Sequence, residues 1–440
     1  MRIPDIIVND ETMIPHLGLG VLFVPDDETD LVTSTALELG YRHIDTAQLY
    51  HNEAGVGRAL VRAGLPCDEI YVTTKLRNGY HEPTRKGFPC SVVETLGLDR
   101  VDLFLIHWPL PTEVCTMRAV VVKELGDIDV IKVEEDWAEP VAGAGELLVD
   151  VEFAGVNFMD TAARSWGAPH GRLPLIPGVE GAGTVAALGE GVTDFEVGDR
   201  VAWVSVWGSY AERLAVPAAD AVQLPNYIPT DVAAATMMQG LTSHHFANEV
   251  APLSEGQTAL VHAAAGGVGR MLSQQLKLRG ARVIGLVSRE EKVPVATAAG
   301  ADEVLISTAG DFVDRVKDLT DGEGVDAVFD GGGESTFRPS LDALRVAGTH
   351  VWYGPLIGDI PTVSLFELPK SIRLSYAVYS DHVRTRNLLL EHSNDLFDKI
   401  RDGRLRIDIS RRYPLSEAKQ AHIDITSRGT TGKLLLDTSL

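Results

Sequence analysis

The sequence predicts an α/β chain in three parts: a segment of alternating strands and helices, a small β-barrel, and a doubly wound parallel sheet. Three observations carry this. Residues 1–113 alternate short strands with amphipathic helices. Met117–Ala234 is rich in Val, Gly and turns, as in VDVEFAGVNFMD and IPGVEGAGTVAALGEGV, which is the pattern of a partly open barrel of short strands. Thr242–Ser371 then alternates strand and helix: TALVHAA, RVIGLV, EVLIS, AVFDGG and HVWYG are near-continuous apolar runs, as buried parallel strands require.

In the first part the strand candidates are Leu17–Val21, Tyr41–Asp45, Ile70–Lys75 and Val101–His107, with helices near 28–39, 52–63 and 84–96. The stretch Arg85–Cys90 is poor helix material, since Gly87 and Pro89 fall where an outer helix should run. Four βα units precede a break at Pro109–Val114. After PLPTEVCT the chain restarts as MRAVVVKELGDIDVIKVEE, which reads like the initiator methionine and first hairpin of another protein. No Gly/Ser or Pro-rich linker separates the parts, so the junction reads as a fusion. The expected domains are 1–114, 117–241 completed by 372–440, and 242–371.

The third part carries the most specific motif. An apolar run ends in Ala264-Ala265-Gly266-Gly267-Val268-Gly269, a helical pattern follows, and a second apolar run closes on Ser288. Strand, glycine turn, helix, strand is the Rossmann unit, which holds a dinucleotide pyrophosphate on a helix N-terminus. The glycines let backbone approach phosphate, and the free N–H groups of the first helical turn bind it. An acidic residue about twenty positions on would bind the ribose hydroxyls of NAD. Ser288 and Arg289 stand there instead, with Lys292 beyond. A hydroxyl and two cations suit a 2′-phosphate, so the reading is NADPH; the alternative is that both cations are solvated charges at a helix start.

The whole chain sets further bounds. A length of 440 residues predicts two to four domains, and 45% hydrophobic with 23% charged residues is globular. A net charge of −23 repels nucleic acid and anionic membrane. No apolar run reaches membrane-spanning length, and MRIPDIIVNDETM lacks the regions of a secretory signal. Cys67, Cys90 and Cys115 form neither a disulfide framework nor a metal spacing, and the 13 histidines pair with no cysteine as a zinc site would. A cytoplasmic protein without metal is expected.

Two resemblances refine this. LGLGV, GYRHIDTAQLYHNEAGVGRAL, YVTTKL and LGLDRVDLFLIHWP resemble the amino-terminal half of the aldo-keto reductases. That resemblance implies a tetrad of Asp45, Tyr50, Lys75 and His107, in which lysine and carboxylate lower the tyrosine pKa for proton donation to a carbonyl. The family is an eight-fold barrel, so the resemblance implies a partial (βα) half-barrel; the loops after strands 7 and 8, which hold cofactor phosphate in such barrels, have no counterpart here. The tetrad is therefore expected to be idle.

Residues 117–440 resemble the zinc-free quinone oxidoreductases, zeta-crystallin-like members of the medium-chain dehydrogenase/reductase superfamily. The matching runs are AGVNFMDTAARS, IPGVEGAG, VGDRVAW, GSYAE, MMQGLTSHH, VHAAAGGVG, GADEVL, GVDAVFDGGG and SRGTTGKLLL. The resemblance implies a GroES-like β-barrel beside the Rossmann sheet, and Asn157 and Asp160 in the cleft by the nicotinamide. It also implies cofactor contacts from Gln239, Thr242, Ala265–Gly269, Ser288, Arg289, Lys292, Tyr353, Gly354 and Arg428. For Asn157 and Asp160 the plainer reading is turn capping. Zinc-dependent members place a cysteine where Val156-Asn157 stand and a histidine where Val179 stands, so no Lewis acid is expected, and Glu180 reads as structural. Where members often carry a tyrosine after VNFMD, this chain has Trp166 and His170.

The expected activity is hydride transfer from NADPH to a quinone or enone, which needs little activation, by a homodimer, with the product proton taken from water. Two rivals remain: a carbonyl reductase working through the tetrad, and a non-catalytic NADPH-binding structural or regulatory protein.

Overall fold

The computed structural model describes residues 5–7, 13–66, 69–76, 95, 96, 98, 101–106, 115–167, 173–307, 310–354 and 362–440. The chain divides into two compact units, Met1–Val114 and Cys115–Leu440.

In the first unit four strands, Leu19–Gly20, His43–Asp45, Tyr71–Leu76 and Leu103–Ile106, lie side by side in sequence order and are all parallel. Helices Asp26–Glu38 and Glu53–Ala63 supply the first two crossovers. Their apolar faces close on Val21, Ile44 and Val72 through Leu37, Val56 and Leu60. The second helix also lies against Leu96, so closely that a Cβ on Gly57 would meet the Leu96 carbonyl at 2.2 Å. Asn52 pins the loops by donating to the Val21 and Val24 carbonyls. Among the described residues the two outer strands of this sheet have one neighbour each. The helix expected near 84–96 falls almost wholly outside the described residues.

Besides the hairpin Thr116–Val122 with Ile131–Ala138, the second unit holds two larger sheets. In the barrel part, strand Glu146–Val156 pairs with Glu180–Leu188, Arg213–Pro217 and Lys433–Asp437, so the last strand of the chain completes a sheet begun nearly 290 residues earlier. The second sheet is six-stranded and parallel, ordered 303–306, 282–287, 258–261, 325–330, 344–352, 373–376. Five of its strands follow the apolar runs read in the sequence. The sixth, Arg373–Tyr376, lies beyond the expected bound at 371, in the segment expected to complete the barrel: its short, exposed RLSY suits an edge strand and carries no apolar run. Strand order reverses on either side of Thr258–Val261. The glycine turn thus sits at the switch point, where open α/β sheets bind their ligands.

Candidate functional site

The turn after Thr258–Val261 is tight. Gly266 N–H donates to the Ala263 carbonyl at 2.7 Å, and Ala263 takes a positive φ of 48°. Helix Gly267–Leu278 starts without a side-chain cap, which leaves its first N–H groups for an anion. A Cβ on Gly269 would lie 2.4 Å from the Ala263 carbonyl, so only glycine lets this helix pack against its strand. A Cβ on Gly267 would lie 2.0 Å from Gln239 Oε1. Gln239 therefore lies directly against the turn, and its buried Oε1 has no hydrogen-bond partner. An unsatisfied amide oxygen beside uncapped N–H groups fits a polar ligand seated here.

The carboxyl-terminal segment fastens onto the same place. Gly432 bridges Gly266, its N–H donating to the Ala265 carbonyl at 3.2 Å. Arg428 holds a positive φ of 55°, and its carbonyl accepts from Lys292 Nζ at 2.7 Å. Ser288 is half-buried and Arg289 exposed. Burial and the neighbouring Arg289 charge both lower the pKa of Lys292, so the two cations share one patch. Val268 packs into the core behind the turn. Tyr353 rests on Phe246, with ring centroids 5.0 Å apart, and closes over Gly331; Gly354 follows, buried. Thr242 Oγ1 bonds back to the Met238 carbonyl of its own helix.

From Gly432 the chain runs one residue further into the cleft. Lys433 is 1% exposed, and its Nζ reaches Asn157 Oδ1 at 2.8 Å and Glu180 Oε1 at 2.5 Å. Glu180, fully buried, also accepts from Asn157 Nδ2 at 2.7 Å and Met238 N–H at 2.6 Å. Glu180 thus joins four elements and is structural, as its residue context suggests. Lys433 was not legible as a site residue; the available signal was a lone lysine opening the fully buried run of strand KLLLD.

Asn157 and Asp160 come together at the start of helix Phe158–Trp166. Asp160 Oδ2 accepts from Asn157 N–H at 2.7 Å and Tyr210 Oη at 3.0 Å, capping helix Phe158–Trp166. Asp160 is wholly buried. Burial lifts its carboxyl to about 7, against the pull of those two donors and of Lys433. Asp160 is thus a buried acid held by Asn157 and Tyr210. Tyr379, hydrogen-bonded to Ser205 at 2.6 Å, feels both Glu180 and Asp160, and burial raises its phenol to about 12. Trp166 is exposed, and His170 lies outside the described residues.

At the positions where zinc-dependent members place their metal ligands, the donors differ. The positions in question hold Asn157 and Val179 beside Glu180, without thiolate or imidazole, and the cation their oxygens already bind is the Lys433 ammonium. These residues do not fit a zinc ion.

In the first unit Lys75 pairs with Asp45, and Lys75 Nζ lies 5.3 Å from the centroid of the Tyr50 ring. Three tetrad residues thus come together; His107 lies outside the described residues.

Known proteins match the chain in three stretches. The alcohol dehydrogenase GroES-like domain matches residues 143–226, the zinc-binding dehydrogenase family 267–391, and the aldo/keto reductase family 16–139. A quinone oxidoreductase of Pseudomonas aeruginosa is 37% identical over 302 residues, 68% of this chain and 92% of that protein. Among solved structures, a mycobacterial protein complexed with NADPH is 40% identical with a TM-score of 0.70, covering 73% of this chain and 100% of that one. Escherichia coli quinone oxidoreductase, also complexed with NADPH, is 34% identical with a TM-score of 0.70, over 73% and 99%. An aldo-keto reductase of Mycobacterium ulcerans is 51% identical over 109 residues, but the chain spans only 39% of its length. With an aldo/keto reductase segment at its front, the chain belongs to the quinone oxidoreductase family.

Proposed function

We propose that the protein is an NADPH-dependent oxidoreductase that reduces quinones or enones without zinc. The observation that carries this reading is the Lys433 ammonium held between Asn157 and Glu180. It occupies oxygens that a Lewis acid would need, which supports an acceptor that takes hydride without metal polarisation. NADPH, when bound, supplies that hydride. The first N–H groups of helix Gly267–Leu278 would hold its pyrophosphate, Arg289 and Lys292 its 2′-phosphate, and the Gln239 amide its nicotinamide side. Asn157 and Asp160 act as positioning residues: they fix the loop that walls the cleft, and the product takes its proton from water.

The test is NADPH oxidation by the full chain with 1,4-benzoquinone and with cyclohexenone, before and after metal stripping. Turnover with either acceptor that persists in the stripped protein is expected. Activity that disappears on chelation and returns with zinc, or no turnover with either acceptor, would overturn the reading.

A further inference from the structure

Helix Thr230–His245 ends in His244-His245 and passes into a single π turn, Phe246–Val250, a distortion often found at functional sites. Against this corner pack His382 from Tyr379–His382 and His392 from Arg386–Arg401. Four imidazoles and two carboxylates therefore meet at a place the cleft chemistry does not use.

Two ligand sets are conceivable, and geometry separates them. His244, His382 and His392 are all buried and close. Yet His382 and His392 stack with centroids 3.8 Å apart at 2°, so their in-plane lone pairs cannot converge. His244 Nδ1 and His382 Nε2 are 2.7 Å apart, a hydrogen-bond spacing rather than that of two ligands on one ion. The other set is His245, Glu249 and His382. Glu249 Oε2 lies 3.1 Å from His245 Nδ1 and 3.0 Å from His382 Nδ1. Two ligands at the usual zinc distances on a tetrahedral ion are separated by about 3.3 Å, so small shifts would seat one.

Proton accounting points to the same set. A line of contacts runs Asp395–His244–His382–Glu249, at 2.9, 2.7 and 3.0 Å. Three gaps between acceptors need three protons, and two neutral rings supply two. Lys399, 2.6 Å from Asp395, fixes that end as the ionised acceptor. His244 then donates through Nε2 to Asp395, and His382 through Nε2 to His244. The His382 Nδ1 lone pair is left facing the Glu249 carboxylate; it is out of line for a hydrogen bond and has no other partner. A cation between Nδ1 and the carboxylate would resolve it.

We infer that His245 Nδ1, His382 Nδ1 and Glu249 Oε2 form a site for a divalent transition ion, zinc being the best match to two imidazoles and one carboxylate. His244 and Asp395 are its outer shell, holding His382 in the ligating tautomer as carboxylate–histidine pairs do. The Glu249 side chain is 45% exposed, which provides an entry path and room for a water as fourth ligand. This site shares no residue with the Asn157, Val179 and Glu180 positions of the cleft, and its binding does not depend on the reduction chemistry.

The test uses the untagged, metal-stripped full chain, titrated with zinc chloride by calorimetry and with cobalt chloride by visible absorption. One equivalent of each is expected, cobalt giving the intense bands of a four- or five-coordinate centre. Glu249→Gln, at an exposed position that tolerates it, and His382→Ala should abolish the cobalt bands. Asp395→Asn should weaken zinc roughly 10–100-fold while keeping them. No uptake by the wild-type chain, or cobalt bands unchanged in Glu249→Gln, would overturn the proposal.

Discussion

Lys433→Met is the most informative single change in the cleft. It removes a cation that is 1% exposed and strands the Glu180 carboxylate, which is wholly buried. Losing one partner of a buried ion pair costs about 3–5 kcal/mol, because the remaining charge stays desolvated. Glu180 keeps two donors, Asn157 Nδ2 at 2.7 Å and Met238 N–H at 2.6 Å, which places the expectation near the lower end. A loss of about 3 kcal/mol corresponds to roughly 6 °C in melting temperature at about 2 °C per kcal/mol for a large unit. The assay is thermal unfolding of the full chain followed by circular dichroism, with denaturant titration as a second measure. Adding Glu180→Gln should recover much of the loss, since the stranded charge is then gone and a double-mutant cycle reads the coupling directly. A Lys433→Met protein as stable as wild type, or a double variant whose loss is the sum of the singles, would refute the reasoning.

Three further outcomes follow from the structure. Arg289→Ala should weaken NADPH by about 1–3 kcal/mol and leave NADH nearly unchanged, as read by fluorescence titration; equal weakening of both would show that Arg289 does not face the 2′-phosphate. Asp160 is raised from 3.8 to about 7, so between those values the folded state holds a proton the unfolded state has lost, and wild-type stability must fall as pH rises through that window. Asp160→Asn lacks this slope and should gain on wild type between pH 4.5 and 7.5 in denaturant midpoints; a pH-independent difference would count against the shift. Tyr50→Phe should leave both aldehyde and quinone reduction unchanged, whereas a selective loss of aldehyde reduction would revive a working tetrad.

Legibility followed locality. The glycine turn could be read because its demands fall within six residues: a tight turn at Gly266 and the close helix approach at Gly269. The parallel strands could be read because burial on both faces forces continuous apolar runs, and the edge strand Arg373–Tyr376 escaped for the converse reason. Asn157 and Asp160 carry a signal three residues apart, and the capping alternative is the geometry observed for Asp160.

What escaped was brought together by the fold. Lys433 stands 276 residues from Asn157 in the chain, and His382 stands 138 from His244. Counting histidines against cysteines found no zinc pattern, because the cluster contains no cysteine and draws on three separate elements. Read alone, His244-His245 is the end of an apolar helix, and a lysine before LLL is the start of a strand. Each acquires a chemical role only when a second element delivers its counter-charge or its facing lone pair. The two places are opposite solutions to one problem. Beside Asn157 a buried carboxylate is satisfied by a cation from its own chain. At the histidine corner carboxylate and imidazoles converge with one proton too few, and the missing charge has to come from solution.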